Sequence, residues 1–495
     1  MDGATSTTPP AKPDVHVVAS TPSYDESSIT SHARNTGRRS PPDFFYKSAQ
    51  WTADGTTVIT SSSDDRISAF VLPEDLLEPR AHPHVLAPKH TLSLPEPTHV
   101  VASAPYFSLS HPYTQTILVA CRDHPIQLYH ILPDQPASLS PSQASSPSSA
   151  PCYEHPPSHP PLSSFNLINP QTEAYQTPTA LIWPSPGTHF IAGTTNLLAH
   201  FDITRLGSGP ILRVPTIPSK RHISKGHGVG MRGTVSALAA TPEGLVAAGT
   251  WTRWVGLYDF AGSGACVATW GVAGATKTPP GASDSPSLGD RDSSSSSNSI
   301  GGQGILQTAW SPCGRYLVVN ERQSTGLLVY DVRVTGRLLA WLVGRDALTH
   351  QRLTCDVYPG SSASGEGGFE VWAGTRTGSV QVWDRAGMEE GCVRPAWGWQ
   401  AHEDGSPVGS AAMHASGSVV ATCSGGWSIP DEDDEEDGET DSSEDEGGSS
   451  GESSSSSLSS REPRRATRAS PDNTLKIWSI GLGSGAPIPQ GDMDD

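Results

Sequence analysis

The sequence predicts an all-β fold, a seven-bladed β-propeller, and three observations carry that expectation. One pattern recurs seven times along the 495 residues. Each copy alternates apolar and polar positions with period two between turns rich in Gly, Pro, Asp and Ser, so each reads as a group of short antiparallel strands. A sheet of that size cannot bury both faces alone. The copies must therefore stack radially, each covering its neighbour.

The pattern is an apolar residue or Trp, a turn, a short apolar run, a small-residue turn, then alternating apolar residues that end in an aromatic. It appears as QWTADGTTVITSSSDDRISAFVL (50 to 72), YFSLSHPYTQTILVACRDHPIQLYHI (106 to 131), LIWPSPGTHFIAGTTNLLAHFDI (181 to 203) and VSALAATPEGLVAAGTWTRWVGLYDF (235 to 260). It continues as LQTAWSPCGRYLVVNERQSTGLLVYDV (306 to 332), LTCDVYPGSSASGEGGFEVWAGTRTGSVQVWDR (353 to 385) and a split copy, VGSAAMHASGSVVATCSGG (408 to 426) with DNTLKIWSI (472 to 480). Trp383-Asp384 is a literal WD dipeptide, Tyr258-Asp259 and Tyr330-Asp331 substitute another aromatic, and Phe70, Tyr129, Phe201 and Trp478 keep the aromatic alone. Gly226-His227 stands where a WD repeat places its Gly-His pair. A His at that position is expected to hydrogen-bond within its blade. The fold is thus read as a WD-repeat propeller.

Residues 1 to 43 read as a largely disordered tail with a candidate blade-closing strand at Val15 to Ala19, residues 44 to 480 as the propeller, and 481 to 495 as a second tail. Three insertions, at 133 to 160 (Pro/Ser-rich), 272 to 303 (Gly/Ser/Asp-rich) and 427 to 471 (acidic, then Ser-rich, then basic), are too polar to fold and are predicted to be disordered loops. The two halves of the split copy regenerate an ordinary repeat when joined. They are predicted to pair across the third insertion.

Composition narrows the function classes. Gly 49, Pro 44 and 35% hydrophobic residues describe a turn-rich chain rather than a compact α/β enzyme. No run approaches the ~18 apolar residues of a membrane helix, and the N-terminus lacks a signal-peptide layout, so a soluble intracellular protein is expected. The seven cysteines (Cys121, Cys152, Cys266, Cys313, Cys355, Cys392, Cys423) are scattered and never spaced CxxC, which predicts reduced thiols and no metal site. The net charge of -19 argues against nucleic acid until its source is located. Residues 431 to 446 hold twelve acidic residues, which leaves only -7 on the rest of the chain. No GxSxG, P-loop, HExxH or strand-to-helix GxGxxG is present, and the expectation is that the chain is not an enzyme and takes no cofactor.

The segment GRDALTHQRLTCDVYP (344 to 359) resembles a motif of the telomerase Cajal body protein family, G-R-x-x-x-T-x-Q-R-I leading into a F-D-L-D-P strand. QWTADGTTVITSSSDDRISAFVLP (50 to 73), CRDHPIQLY (121 to 129), DITRLGSGP (202 to 210) and GTWTRWVGLYDF (249 to 260) are similar in the same order. The chain departs from the family in its insertions and in Asn320-Glu321-Arg322, where a Gly-rich turn is expected. The resemblance implies a nuclear RNA-binding scaffold, in Cajal-body-like foci with some cytoplasmic pool. Its partners would be small nuclear, guide or telomerase RNA and the proteins of those ribonucleoproteins, with pre-mRNA splicing the association of fungal-type members. No membrane, small-molecule substrate or second copy is expected as a partner. The alternative is a protein-only WD-repeat adaptor.

Mapped onto a WD-repeat blade, the connections into the first strands and the turns between second and third strands open on one face, here called the top. That mapping gathers Lys220, Arg221, Lys225, His227 and Arg232 on one connection and Arg345, Thr349, Gln351 and Arg352 on another. The top turns add Arg66, Arg122, Trp251, Arg253 and Arg376. Cations around an exposed indole suit single-stranded RNA, through phosphate contacts and base stacking. The competing reading pairs several of them with turn acids such as Asp65 and Asp123, as ordinary solvated bridges. On the sequence alone, exchanging Arg345 and Arg352 together for Ala is expected to weaken RNA binding without unfolding the propeller. The acidic tract is expected to act as a tethered competing polyanion, strengthened by phosphorylation at Ser442 and Ser443, which resemble acidophilic kinase sites.

Overall fold

The structure, a computed structural model, describes residues 13–22, 44–133, 160–217, 230–276, 300–360, 368–428, 468–469 and 472–481. Seven sheets of four or five strands make up nearly all of it. Their innermost strands are Tyr46–Trp51 (blade 1), Thr98–Ser103 (blade 2), Ala180–Ile182 (blade 3), Val235–Ala240 (blade 4), Ile305–Trp310 (blade 5), Cys355–Tyr358 (blade 6) and Val408–Met413 (blade 7). From blade 2 onward each packs against the next, Val408–Met413 returns to Tyr46–Trp51, and Thr57–Ser62 of blade 1 meets Thr98–Ser103 of blade 2, so the ring is closed. The fold is a seven-bladed β-propeller, and the only helical elements among the described residues are two short 3-10 turns.

The second strand of each blade shows why the copies fold this way. Thr116–Cys121 (TILVAC) and Val419–Ser424 (VVATCS) are buried at every position, because neighbouring blades cover both faces. The β-branched residues enriched there suit a pleated surface packed on both sides. Cores lie between blades, not inside them. Between blades 2 and 3 the rings of Phe165, Phe190 and Phe201 meet, with Phe190 and Phe201 stacked at 4.7 Å. Between blades 6 and 7, Trp372, Trp397, Trp399 and Trp478 interlock edge to face. Each fully buried side chain of this size contributes about 1.5–3 kcal/mol relative to exposure.

Blade 7 is assembled from distant parts of the chain. Val419–Ser424 pairs antiparallel with Leu475–Gly481, so the two halves of the split copy lie side by side across the acidic insertion. Asp14–Ser20 pairs antiparallel with Leu475–Gly481, and His84–Val85 adds a short parallel strand beyond it. At the base of the insertion, Trp427–Ser428 and Arg468–Ala469 form a small two-stranded stem. The insertion beyond it, including Ser442 and Ser443, lies outside the described residues.

Backbone contacts define the top face. Ser63 N–H meets Phe45 O, Arg122 N–H meets Pro97 O, Trp251 N–H meets Thr234 O and Gln323 N–H meets Thr349 O, so the second-to-third-strand turns sit against the connections that enter the blades. Several of these turns place a non-glycine residue in the left-handed region, including Asp65 (φ 61), Asp123 (φ 54), Arg253 (φ 66) and Gln323 (φ 51). Asp tolerates that conformation; Arg and Gln adopt it at a cost of order 1–3 kcal/mol and need external support.

Candidate functional site

The inner strands surround a central cavity of about 660 Å³. Lys47, His99, Gln351 and Arg352 contribute polar groups to its wall, with Asp356 on the blade 6 strand. Asp356 accepts amides from Met413 (2.7 Å) and Val357 (2.8 Å), and burial pushes its carboxyl up to about 6. Burial also lowers the Lys47 ammonium, whose charged neighbours are Asp65 and Asp64. The lining of the cavity thus sets Lys47 and Arg352 against the single carboxyl of Asp356.

The top-face arginines divide into paired and unpaired groups. Arg66 lies 3.2 Å from Asp64 and Arg122 3.5 Å from Asp123, both as exposed bridges worth about 0–1 kcal/mol. The pairing reading holds for these two, with Asp64 rather than Asp65 as the partner of Arg66. Arg376 is held by Asp346 at 2.8 Å. Arg253 forks onto Glu321, Nε to Oε1 at 2.7 Å and Nη2 to Oε2 at 2.9 Å. Glu321 is 3% exposed; burial pushes its carboxyl up, and Arg253 and the Gly304 amide oppose that rise. This pair ties the strained blade 4 turn to blade 5. Glu321→Gln is expected to lower stability by about 2 kcal/mol, since it leaves a partly buried guanidinium without its charge partner; thermal or denaturant melts measure it.

Arg345 requires a correction. It was expected at the ligand surface, yet it is 1% exposed, locked between blades 5 and 6. Its Nε donates to Gly374 O (2.9 Å), Nη1 to Asn320 Oδ1 (2.7 Å) and Nη2 to Leu353 O (2.9 Å). Asn320 also donates to Leu353 O (2.9 Å) and to Gln307 Oε1 (3.2 Å), whose side chain in turn binds the Cys355 backbone. Burial lowers Arg345 to about 10, so it remains charged at neutral pH. Its charge is met by carbonyl dipoles, and it is structural.

Its loop neighbours differ. Thr349 is half-buried and its hydroxyl accepts the Gln351 amide at 3.1 Å, which shapes the loop. Gln351 donates to Gly425 O at 2.5 Å, beside the stem of the acidic insertion. Arg352 faces the channel and is open to it, with Nη2 on Leu306 O at 3.0 Å. The enclosing walls, then the neighbouring Arg322, lower its guanidinium. Arg232 is exposed on the connection into blade 4, and its carbonyl accepts the Thr252 hydroxyl, which brings it beside the Trp251 turn. Trp251 is 45% exposed with Arg322 over its ring, the guanidinium carbon 5.5 Å from the centroid. Lys220, Arg221, Lys225 and His227 lie outside the described residues.

The chain is 24% identical to the protein named telomerase Cajal body protein 1 of Bos taurus over 396 residues, 79% of this chain and 59% of that one. The Homo sapiens protein of the same name gives 24% over 396 residues, with 79% and 58% covered. By sequence the chain is similar to the telomerase Cajal body proteins. The resemblance drawn from the segment at 344 to 359 agrees, and the match spans less than two thirds of the mammalian proteins. A protein of Schizosaccharomyces pombe, named guanine nucleotide-binding protein negative regulator 1, is 22% identical over 351 residues, 70% of this chain and 72% of that one. No family model matches the chain.

The departure from the family pattern at Asn320-Glu321-Arg322 coincides with the interactions just described. Asn320 holds Arg345, Glu321 holds Arg253, and Arg322 covers Trp251. Sequence reasoning noticed this tripeptide only as an irregularity. It also missed His402, which makes the within-blade network expected of the Gly-His position. His402 Nε2 meets Thr422 Oγ1 at 2.8 Å, Trp478 Nε1 donates to the same hydroxyl at 2.9 Å, and His402 Nδ1 meets Asp472 at 3.1 Å. The signal was present as Ala401-His402, with Ala in place of the Gly and the acidic insertion stretching the distance to Trp478.

Proposed function

We propose that the chain is a nuclear RNA-binding scaffold of small ribonucleoprotein metabolism, with its top face as the RNA surface. The observation that carries this is Arg322 over the exposed Trp251, with Arg352 neighbouring Arg322 and Arg232 on the connection beside the same turn, cations without a carboxylate at ion-pair distance among the described residues. Single-stranded RNA needs guanidinium contacts to phosphate and an aromatic face for a base, and this cluster offers both. The mammalian relatives, named for telomerase and the Cajal body, support small nuclear, guide or telomerase RNA as the class of partner and the nucleus as the place.

Crosslinking and immunoprecipitation is expected to recover such RNAs. Trp251→Ala is expected to weaken binding of a recovered RNA by about 1–3 kcal/mol, the scale of one lost stack. Failure to recover any small nuclear, guide or telomerase RNA above background would remove the reading. The fission yeast relative, named as a negative regulator of a guanine nucleotide-binding protein, favours a second one, a protein-only adaptor. A defined protein complex that survives RNase treatment, with no RNA recovered, would put that reading in its place.

A further inference from the structure

The tripeptide Asn320-Glu321-Arg322 assigns opposite fates to the cations around it. Arg345 and Arg253 are consumed by Asn320 and Glu321. Arg322 itself turns toward Trp251, and its buried Nε has no hydrogen-bond partner. Its backbone is fixed in both directions: the Arg322 amide donates to Gly304 O at 3.0 Å, and its carbonyl accepts the Gln303 amide at 2.9 Å. The Arg352 guanidinium is anchored at Leu306 O, two residues further along the same segment. The adjacent turn and loop also touch, Gln323 N–H to Thr349 O at 3.4 Å. Two guanidinium-bearing residues from blade 5 and the blade 6 connection are thus held on one edge at the channel rim. Neither has a carboxylate within ion-pair distance among the described residues.

Holding like charges together costs free energy that a bound anion returns. Arg presents planar N–H forks that match phosphate oxygens, and two such forks can engage one phosphate. A carboxylate offers only two oxygens to the same pair. The indole beside Arg322 adds an aromatic surface where a base attached to that phosphate can lie.

We propose that Arg322 and Arg352 form a phosphate clamp at the channel rim, which takes a backbone phosphate of single-stranded RNA beside a base on the Trp251–Arg322 shelf. This rests on the RNA reading and names the part of the face that grips the backbone. The clamp uses a residue at which the chain departs from its relatives' expected turn.

The test compares the full chain with Arg322→Gln, Arg352→Gln and the control Arg337→Gln, whose arginine is paired with Glu390 at the opposite end of the blade from the top turns. The ligands are a ten-nucleotide single-stranded RNA and inorganic pyrophosphate, each titrated over a range of salt. Melting curves check the fold, and Arg322→Lys and Arg352→Lys provide variants that keep the charge and lose the fork. Each Gln variant is expected to bind the RNA about tenfold more weakly. The log–log salt slope should fall in each of them, and by about 0.7, the value for one single-strand phosphate contact, when both arginines are replaced. The Lys variants are expected to keep the slope and lose several-fold in affinity, and the control is expected to match the wild type. Wild-type RNA binding that is unchanged in affinity and slope in folded Arg322→Gln and Arg352→Gln overturns the clamp and leaves the RNA reading standing. Pyrophosphate binding that needs both arginines, with no RNA binding, keeps the phosphate site and removes RNA as its source. Binding of neither ligand by the wild type overturns both.

Discussion

Arg345→Ala is expected to destabilise the propeller by about 3 kcal/mol or more, the scale of leaving several buried acceptors unsatisfied and a cavity behind. Gly374 O and Asn320 Oδ1 lose the guanidinium donor, and Leu353 O is left with Asn320 alone. Lys does not rescue the site, because one ammonium cannot reach three acceptors laid out for a planar fork. Denaturant unfolding of Arg345→Ala and Arg345→Lys against wild type measures both effects; a midpoint within error of wild type for the alanine variant refutes the assignment. This outcome separates the strand arginine from the one on the connection that follows. Loss of RNA binding in a variant that lacks both would say nothing about a surface contact, whereas Arg352 alone can be tested in a folded protein.

The second large effect is expected at Asp472. Its carboxylate takes hydrogen bonds from Lys476 Nζ (2.6 Å), from His402 (3.1 Å) and from the backbone of Glu403 (3.3 Å). Burial alone raises this carboxyl, but the bonds from His402, Lys476 and Thr474 overcome it and hold it well below the usual carboxylate range. Asp472→Ala leaves a lysine and a buried histidine unpaired and is expected to cost about 3–5 kcal/mol, as for other broken buried pairs. Burial also lowers His402, with Asp472 opposing. Both groups have folded values below their unfolded ones, so both contribute stability that is present at high pH and lost as pH falls. The histidine loss begins below about 6.5 and the carboxylate loss below about 3.9. Unfolding free energies of wild type and His402→Gln between pH 7.5 and 4.5 check the sign. The difference should shrink as pH falls through the histidine range, and a constant difference would show that the proton on His402 plays no part.

How much of this was legible in the sequence depended on range. The seven copies could be read because period-two alternation and the closing aromatic are local, and Trp383, Tyr258 and Tyr330 all fall where the register puts them, on third strands packed into the core. The pairing of the split seventh copy could be read for the same reason. The direction of a long cation could not. Arg345 lies in the strand Arg337–Ala347, not in the loop expected over 344 to 352, and Arg352 lies on the connection that follows; what separates them is contributed by Asn320, Gly374 and Leu306 on other strands. The turn cations were likewise identified by position, while their partners were not: Glu321 lies 68 residues from Arg253 and Asp346 lies 30 from Arg376. A departure from a family pattern proved to be the most informative tripeptide, because it supplied the partners that the neighbouring cations required.

The composition of blade 7 has a consequence for how the protein is made. Asp14–Ser20 leaves the ribosome before every other strand described, but its partner Leu475–Gly481 leaves after all of them. At roughly 5–20 residues per second, the first strand waits on the order of half a minute or longer with its pairing edge bare. An unpaired edge is a template for the wrong neighbour. The exposed Asp14 and His16 put polar side chains along that waiting edge, between and beside Val15, Val17, Val18 and Ala19, which later seat against two cores. The growing chain thus carries its clasp ahead of the blades but can fasten it only once the last of them has been made.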